Sequence, residues 1–561
     1  MIKKLLSKST YLKRVALRRA WRTRHPQWNE ILERDRDTWN SALLSSNAGD
    51  GDEILIATSV GSHHFGTAVE SLLAVALTLR GAKIHVFLCD GVLPACLACS
   101  HEVYPDHTEF VNVGPKRECR ACFEPARQLF SSLGLTVHRY SDFVSTEERQ
   151  WADAMAKEVR AGEIEGFRWH DLAVGEHAMA GALRFLARGT LEGEPLGEPI
   201  LRRYFNAALV AAMAANNLVA SRSFKTAVFH HGIYVPQGLV GEVCRKNNVH
   251  VVNWNPAYRK GCFIFSHHDT YHHTMMTEPV ENWKSIEWSD ENEGRLMAYL
   301  KSRWEGSQDW IWFHEKPMFQ LREIAEETGI DFDKPLVGLL TSVMWDAVLH
   351  YPSNAFANMI EWIECTIGYF IRRPDVQLAI RIHPAEIRGT LPSRQRMADE
   401  IKKRFPVLPD NIIVIPPESH VSTYAVMMQC NSVIIYNTKT GVELSAVGVP
   451  VVVAGEAWIR NKGFCIEITN KQQYLEVLEK MPLVDRQYDT SDAKKYAYHF
   501  FFRRMLPVKQ IRKGVDDVFS IGINTLQELI PGADQSVDLV CHGIMRGENF
   551  IIESVPEDVM P

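Results

Sequence analysis

Ten short apolar runs, most of five or six residues, recur along this chain with helical patterns between them, and this alternation restricts the fold more than any other feature. A run that is apolar throughout must be buried on both faces, the condition of a strand in a parallel sheet. Glu53 to Thr58 (EILIAT) is the first, followed by Ser59, Gly61 and Ser62. Thr67 and Glu70 then have capping-box spacing, and Val69, Leu72, Leu73, Ala76 and Leu77 form one apolar helical face. Lys83 to Leu88 closes a β-α-β unit, and Thr136 to Tyr140, Ala227 to His231 and His250 to Asn255 continue the series.

A second series comprises Leu336 to Leu340, Gln377 to Ile382, Asn411 to Ile415, Ser432 to Tyr436 and Pro450 to Ala454. A length of 561 residues is enough for two large cores. The expected fold class is α/β, with two facing Rossmann-like domains. The boundaries read as a basic N-terminal helical segment (1–50) and a first Rossmann-like acceptor domain (51–280) with a Cys-rich insertion (89–125). A connection (281–334), a second Rossmann-like domain (335–490), and C-terminal helices with a weakly patterned tail (491–561) follow.

In open α/β sheets ligands bind at the carboxyl ends of the strands, so the loops there carry the candidate chemistry. After Ser432 to Tyr436 come Asn437, Thr438, Lys439, Thr440 and Gly441, which suit a phosphate or diphosphate approaching loop amides, hydroxyls and a lysine. Glu443, three residues after Thr440, has the spacing either to reach ribose hydroxyls or to cap its own helix. His383 and Pro384 end another strand, and Thr341 and Ser342 end a third, with Asp346 just beyond. An imidazole at that edge can donate to a phosphate or sugar oxygen.

The HPAE element at 383–386, followed some fifty residues later by NTKTGVE at 437–443 and a GVPV strand, resembles bacterial capsule and surface-polysaccharide biosynthesis proteins of GT-B glycosyltransferase architecture, including the Kdo-transferase-like group. The likeness covers about 336–467 best. It implies a second domain that holds a nucleotide-sugar donor, through His383, Glu386, Thr438, Thr440, Gly441 and Glu443.

In the first half, His63 and His64 follow the first strand, and one or the other is the expected base for an acceptor hydroxyl, with Glu70 or Asp90 as substitutes. A second histidine concentration, His230, His231, His268, Tyr271 and His272, is expected to line the acceptor side; adjacent histidines on a strand point to opposite faces, so no spacing there fixes a metal shell. Cys96 and Cys99, then nineteen residues, then Cys119 and Cys122, have the spacing of a zinc ribbon. A structural zinc is the reading; Cys89, Asp90 and His101 are spare ligands that leave an iron-sulfur cluster or a different four-member set open, with free thiols as the other alternative. No catalytic divalent metal is expected, because Asp331-Phe332-Asp333 precedes a strand instead of ending one.

A formal charge of −6 argues against a nucleic-acid coat, yet residues 1–24 carry nine basic side chains and no acidic one. Leu5, Leu6, Leu12, Val15 and Leu17 interleave with them, which suits either an anionic membrane surface or packing on the first domain. Leu5 and Leu6 run into Ser7, Lys8 and Ser9, not a signal-peptide core, and Ala207 to Ala215 is about half of the ~20 residues a membrane span needs. A cytoplasmic location, at most peripheral on the inner face of the membrane, is expected.

The expected function is transfer of a sugar from a nucleotide-activated donor to a surface glycan or glycolipid. A nucleotide-sugar 2-epimerase of the same architecture and a non-catalytic scaffold or export partner of capsule assembly stay open beside it.

Overall fold

The computed structural model describes residues 10–48, 51–306, 309, 317–349, 353–483, 489–514 and 519–553; for 10–12 and Tyr271 only the backbone is described. Two sheets dominate it. The first has the order β13-β6-β5-β4-β1-β2-β3. It is built from β1 (Glu53–Ser59), β2 (Lys83–Leu88), β3 (Thr136–Arg139), β4 (Thr226–His230), β5 (His250–Pro256), β6 (Cys262–His267) and β13 (Leu506–Pro507). The second has the order β12-β11-β10-β7-β8-β9, from β7 (Leu336–Leu340), β8 (Gln377–Arg381), β9 (Ile412–Ile415), β10 (Ser432–Ile435), β11 (Val451–Val453) and β12 (Ile466–Glu467). The second sheet is parallel, and the first is parallel except where β6 runs antiparallel to β5 and β13.

All ten expected strands are present, with ends displaced by one residue at most. Their side chains divide between two cores in each unit. Leu55 and Ala57 enter one core of the first sheet while Ile54 and Ile56 enter the other, and Val337 and Leu336 divide likewise in the second. The helices that cover these faces include α1 (Thr10–Thr23), α2 (His64–Thr78), α3 (Lys116–Ser132), α4 (Val174–Leu186) and α5 (Gly197–Ala220). Others are α6 (Gln237–Lys246), α7 (Asp290–Trp304), α8 (Thr440–Ala446), α9 (Ser491–Tyr498) and α10 (Gln535–Arg546).

Three expectations need correction. The capping box does not form: α2 starts at His64, Thr67 Oγ1 donates to the His64 carbonyl (3.0 Å), and Glu70 is buried. Its carboxylate finds stronger partners in the core, as described below.

The C-terminal segment, in turn, is not a separate region. After α9 it adds β13 antiparallel to β6, forms the hairpin of β14 (Ile511–Lys513) and β15 (Phe519–Ile521), and lays α10 against the first unit, where Thr226 Oγ1 donates to the Ile544 carbonyl (3.0 Å). The outgoing and returning chains meet at Glu278. Its carboxylate accepts from Asn282 Nδ2 (3.1 Å) and pairs with His499 Nε2 (2.8 Å) and Arg504 (3.7 Å), while Lys462 Nζ donates to its carbonyl (3.2 Å).

The cysteines, finally, do not make an inserted ribbon. Cys119 and Cys122 lie on α3, the crossover helix between β2 and β3, because a three-residue spacing also puts two side chains on one face of a helix. Cys96 and Cys99 sit in the loop after β2, which docks through Leu97 N to the Val235 carbonyl (2.8 Å). Cys122 Sγ accepts from Ser62 N (3.2 Å) and Cys119 Sγ donates to the Pro115 carbonyl (3.2 Å). Among the described residues no three His, Cys, Asp or Glu side chains form a group that could hold a metal ion.

The basic helix α1 packs on the first unit. Arg14 pairs with Glu109 (2.9 Å) and donates to the Val103 carbonyl, Arg18 lies 3.7 Å from Glu118, and Trp21 is buried. Lys3, Lys4, Lys8, Leu5 and Leu6 lie outside the described residues. Among the described residues no helix is long and apolar enough to cross a membrane.

Burial pushes the Cys89 thiol up to about 12 and the Cys122 thiol up to about 11, so both stay protonated at neutral pH. Iodoacetamide at pH 7.5 is therefore expected to label Cys89 and Cys122 slowly in the native protein and rapidly in urea, read by mass spectrometry. One bound zinc per chain on metal analysis would overturn the thiol assignment.

Candidate functional site

A cavity of about 400 Å³ lies where the carboxyl ends of both sheets meet. The second unit supplies Thr341, Ser342 and Asp346 after β7, Arg381 and His383 at the end of β8, Asn437, Thr438, Lys439 and Thr440 after β10, and Glu456 and Trp458 after β11. The first unit supplies His231, Tyr258 and His272, and Arg303 comes from α7.

The His383 backbone N–H donates to Thr341 Oγ1 (3.0 Å), which ties two strand ends together. The Ala385 N–H donates to His383 Nδ1 (3.0 Å), so the neutral ring carries its proton on Nε2 and acts as a donor. Arg381 is spent internally on the Ser419 carbonyl (3.1 Å), the Pro416 carbonyl and Thr423 Oγ1 (3.2 Å), and burial lowers it to about 10.

Two residues expected at the donor are elsewhere. Glu386 is fully buried, accepts from Met397 N (3.0 Å) and is pushed by burial to about 7; it anchors the following helix and lies outside the cavity. A Cβ on Gly441 would fall 2.6 Å from Ile435 Cδ1 and 2.9 Å from Ile459 Cδ1, so this glycine lets α8 approach its sheet.

Glu443 takes neither of its expected roles. It is fully buried and accepts from Lys439 Nζ (2.9 Å), with Arg303 Nη2 at 3.2 Å. Burial alone would raise it, but Arg303 and Lys439 outweigh that and hold it near 2. Arg303 also pairs with Asp309, and Lys439 Nζ sits 4.4 Å above the Tyr258 ring. Two cations and two carboxylates thus balance beneath the phosphate-suited loop.

On the opposite wall His231 has left-handed backbone (φ +65°), and Gly232 follows at φ +77°. A Cβ on Gly232 would lie 2.1 Å from Asn253 Oδ1, so only glycine completes this turn. Burial lowers His231 and His272 to about 3, which keeps both neutral. Behind them His230 packs on His63 (4.5 Å between rings) and Trp254 (4.9 Å). Glu70 Oε1 accepts from His230 N and from Trp254 Nε1, both at 3.1 Å.

Several acceptor-side expectations fail on geometry. His64 turns to His25 (4.9 Å between rings), His63 lies behind His230, and neither lines the cavity. His268 stacks on His250 (5.0 Å), outside the cavity. The Tyr271 side chain lies outside the described residues. Sequence reasoning missed Arg303, Asp309, Tyr258 and Trp458: all come from loops or a helix whose only signal was a charged or aromatic residue among many.

No family model and no curated protein matches the chain. Among solved structures it is similar to KpsC of Thermosulfurimonas dismutans, a beta Kdo 2,4 transferase, at 12% identity over 51% of this chain and 82% of that one (TM-score 0.34). It is similar to UDP-GlcNAc 2-epimerase from Neisseria meningitidis at 8% identity over 80% and 97% (TM-score 0.24). Similarity to the spinosyn rhamnosyltransferase SpnG is 11% over 79% and 94% (TM-score 0.24). At these values the likenesses say nothing about the ligand of the cavity.

Burial pushes Glu70 up to about 7 against its hydrogen bonds, from an ordinary 4.5. The native state therefore holds this proton where the unfolded chain releases it, and stability falls as pH rises from 4.5 to 7. Glu70→Gln keeps both accepted hydrogen bonds and removes the loss. In urea melts the variant is expected to gain on the wild type between pH 5 and pH 8, by on the order of 3 kcal/mol. An equal difference at both pH values would reject this account.

Proposed function

We propose that this protein is a GT-B-type glycosyltransferase that moves a sugar from a nucleotide-activated donor to a glycan or glycolipid acceptor. The observation that carries the reading is the cavity itself. Hydroxyls, Lys439 and the His383 Nε2–H from three strand ends of one sheet face His231 and His272 from the other. Donor phosphates fit the 437–440 loop, where Asn437, Thr438 and Thr440 offer neutral donors and Lys439 can turn from Glu443 toward the departing phosphate. As the bond to the sugar breaks, charge grows on that phosphate, and fixed donors in a water-poor cleft stabilise it more than water would. Trp458 and Tyr258 offer flat apolar faces for a sugar or base.

A thermal-shift panel of CMP-, UDP-, GDP- and dTDP-sugars tests this. One class should stabilise the protein, by about 2.7 kcal/mol at a hundredfold excess over Kd. His383→Ala should weaken that nucleotide about 10- to 100-fold, the value of one hydrogen bond to a charged group. Failure of every nucleotide to shift the melting point would end the donor-site reading. A changed free nucleotide sugar with no sugar joined to an acceptor would identify a 2-epimerase instead.

Peripheral contact with an anionic leaflet belongs to this reading, and the exposure of Lys13, Arg19, Arg22 and Arg24 beside the buried Arg14 and Trp21 supports it. The protein should sediment with vesicles containing 30% anionic lipid at low salt, and R19E/R22E should abolish this. Equal sedimentation with neutral vesicles would reject it.

A further inference from the structure

The carboxylates around the cavity are not equivalent. Glu443 is held by Arg303 and Lys439, Asp309 by Arg303, and Glu456 accepts from Ser353 N (2.8 Å). Asp346 forms no ion pair among the described residues and is exposed to the cavity. Among the described residues its side chain has one hydrogen-bond partner, and that comes from the other unit: Tyr234 Oη, 2.9 Å from Asp346 Oδ1. The Ala347 N–H donates to the same hydroxyl (2.8 Å), so the phenol accepts from Ala347 and must spend its own proton on Asp346. Tyr234 is in turn fixed by stacking on His231 (5.1 Å between rings) and by the Arg184 guanidinium 5.3 Å from its ring centre. A buried phenol of one unit thus aims a carboxylate of the other into the cavity that both units line.

We propose that Asp346 is the catalytic residue that takes the proton of the acceptor hydroxyl, and that Tyr234 is the positioning residue that sets it in place only when the two units are docked. This rests on the transfer reading above. The acceptor O–H gives its proton to the free carboxylate oxygen while its lone pair forms the bond to the anomeric carbon. The bond from that carbon to the donor phosphate oxygen breaks, its electron pair stays on the phosphate beside Lys439 and His383, and the proton leaves to water after release of the product. The groups facing Asp346 are Tyr234, Tyr258 and His272, with His231 and Arg184 behind Tyr234. The two imidazoles would have to create a charge in the cavity to act as bases, which their burial opposes; a carboxylate loses one.

The test uses the full chain, the nucleotide sugar giving the largest shift in the panel, and octyl monoglycosides as acceptors. D346N and D346A should keep the nucleotide-induced shift and lose at least ~100-fold in kcat. Tyr234→Phe should lose about 10-fold in kcat with KM changed less than about twofold, since it orients the base without binding substrate. Sodium formate should restore part of the activity of D346A and none in the wild type. The proposal is overturned if D346A keeps more than half of the wild-type kcat, if it loses the nucleotide-induced shift, or if Y234F changes KM alone. A wild type that binds a nucleotide but transfers no sugar, or binds none, defeats the transfer reading itself and this proposal with it.

Discussion

The two sheets share a cavity because the chain that leaves the first unit and the chain that returns to it are bound together at one buried carboxylate. Glu278 is 4% exposed, and burial by itself would raise it, yet Arg504 and His499 from the returning segment hold it near 2. Lys462 of the second unit reaches across to the Met276 and Glu278 carbonyls (3.0 and 3.2 Å). A buried charge deprived of its partners costs several kcal/mol, so this junction resists being opened one contact at a time. A second tie joins the units where Gln395 Oε1 accepts from Gly189 N (2.9 Å) and Arg394 pairs with Glu194 (3.0 Å). Between the two ties the loops at the strand ends face each other.

That geometry explains the electrostatics of the cleft. The cations nearest the phosphate-suited loop are balanced by Glu443 and Asp309. The opposite wall is neutral as well, since burial keeps His231 and His272 unprotonated. Among the described residues Asp346 is then the exposed carboxylate held there by a phenol, and the phenol belongs to the other unit.

The strands were legible because burial on both faces leaves a continuous apolar run, and that signal does not depend on what packs against it. β13 was not legible: two residues, Leu506 and Pro507, pair with β6 only because the chain has already crossed back. The Thr67/Glu70 spacing misled for a tertiary reason, because Glu70 found the His230 amide and the Trp254 indole in the core and left the helix start uncapped. The cysteine spacing misled for a local one, because a three-residue interval serves one face of a helix as well as it serves a metal knuckle.

At the site, the sequence placed His383, Thr341, Ser342 and the 437–440 loop at one edge, because a loop that follows a buried parallel strand has only the carboxyl end of the sheet to occupy. It also placed His230 and His231 at the end of their strand. It had no means of choosing among side chains that lie a few residues apart on turns. That His231 faces the cavity depends on the left-handed turn at 231–232, and the partners of Glu443 depend on where α7 delivers Arg303. The alternation of runs therefore determined the two-sheet architecture and the edge on which chemistry sits. The docking of the units and the return of the C-terminal segment decided which groups meet there, because those contacts join residues more than a hundred positions apart and leave no periodic trace in the chain.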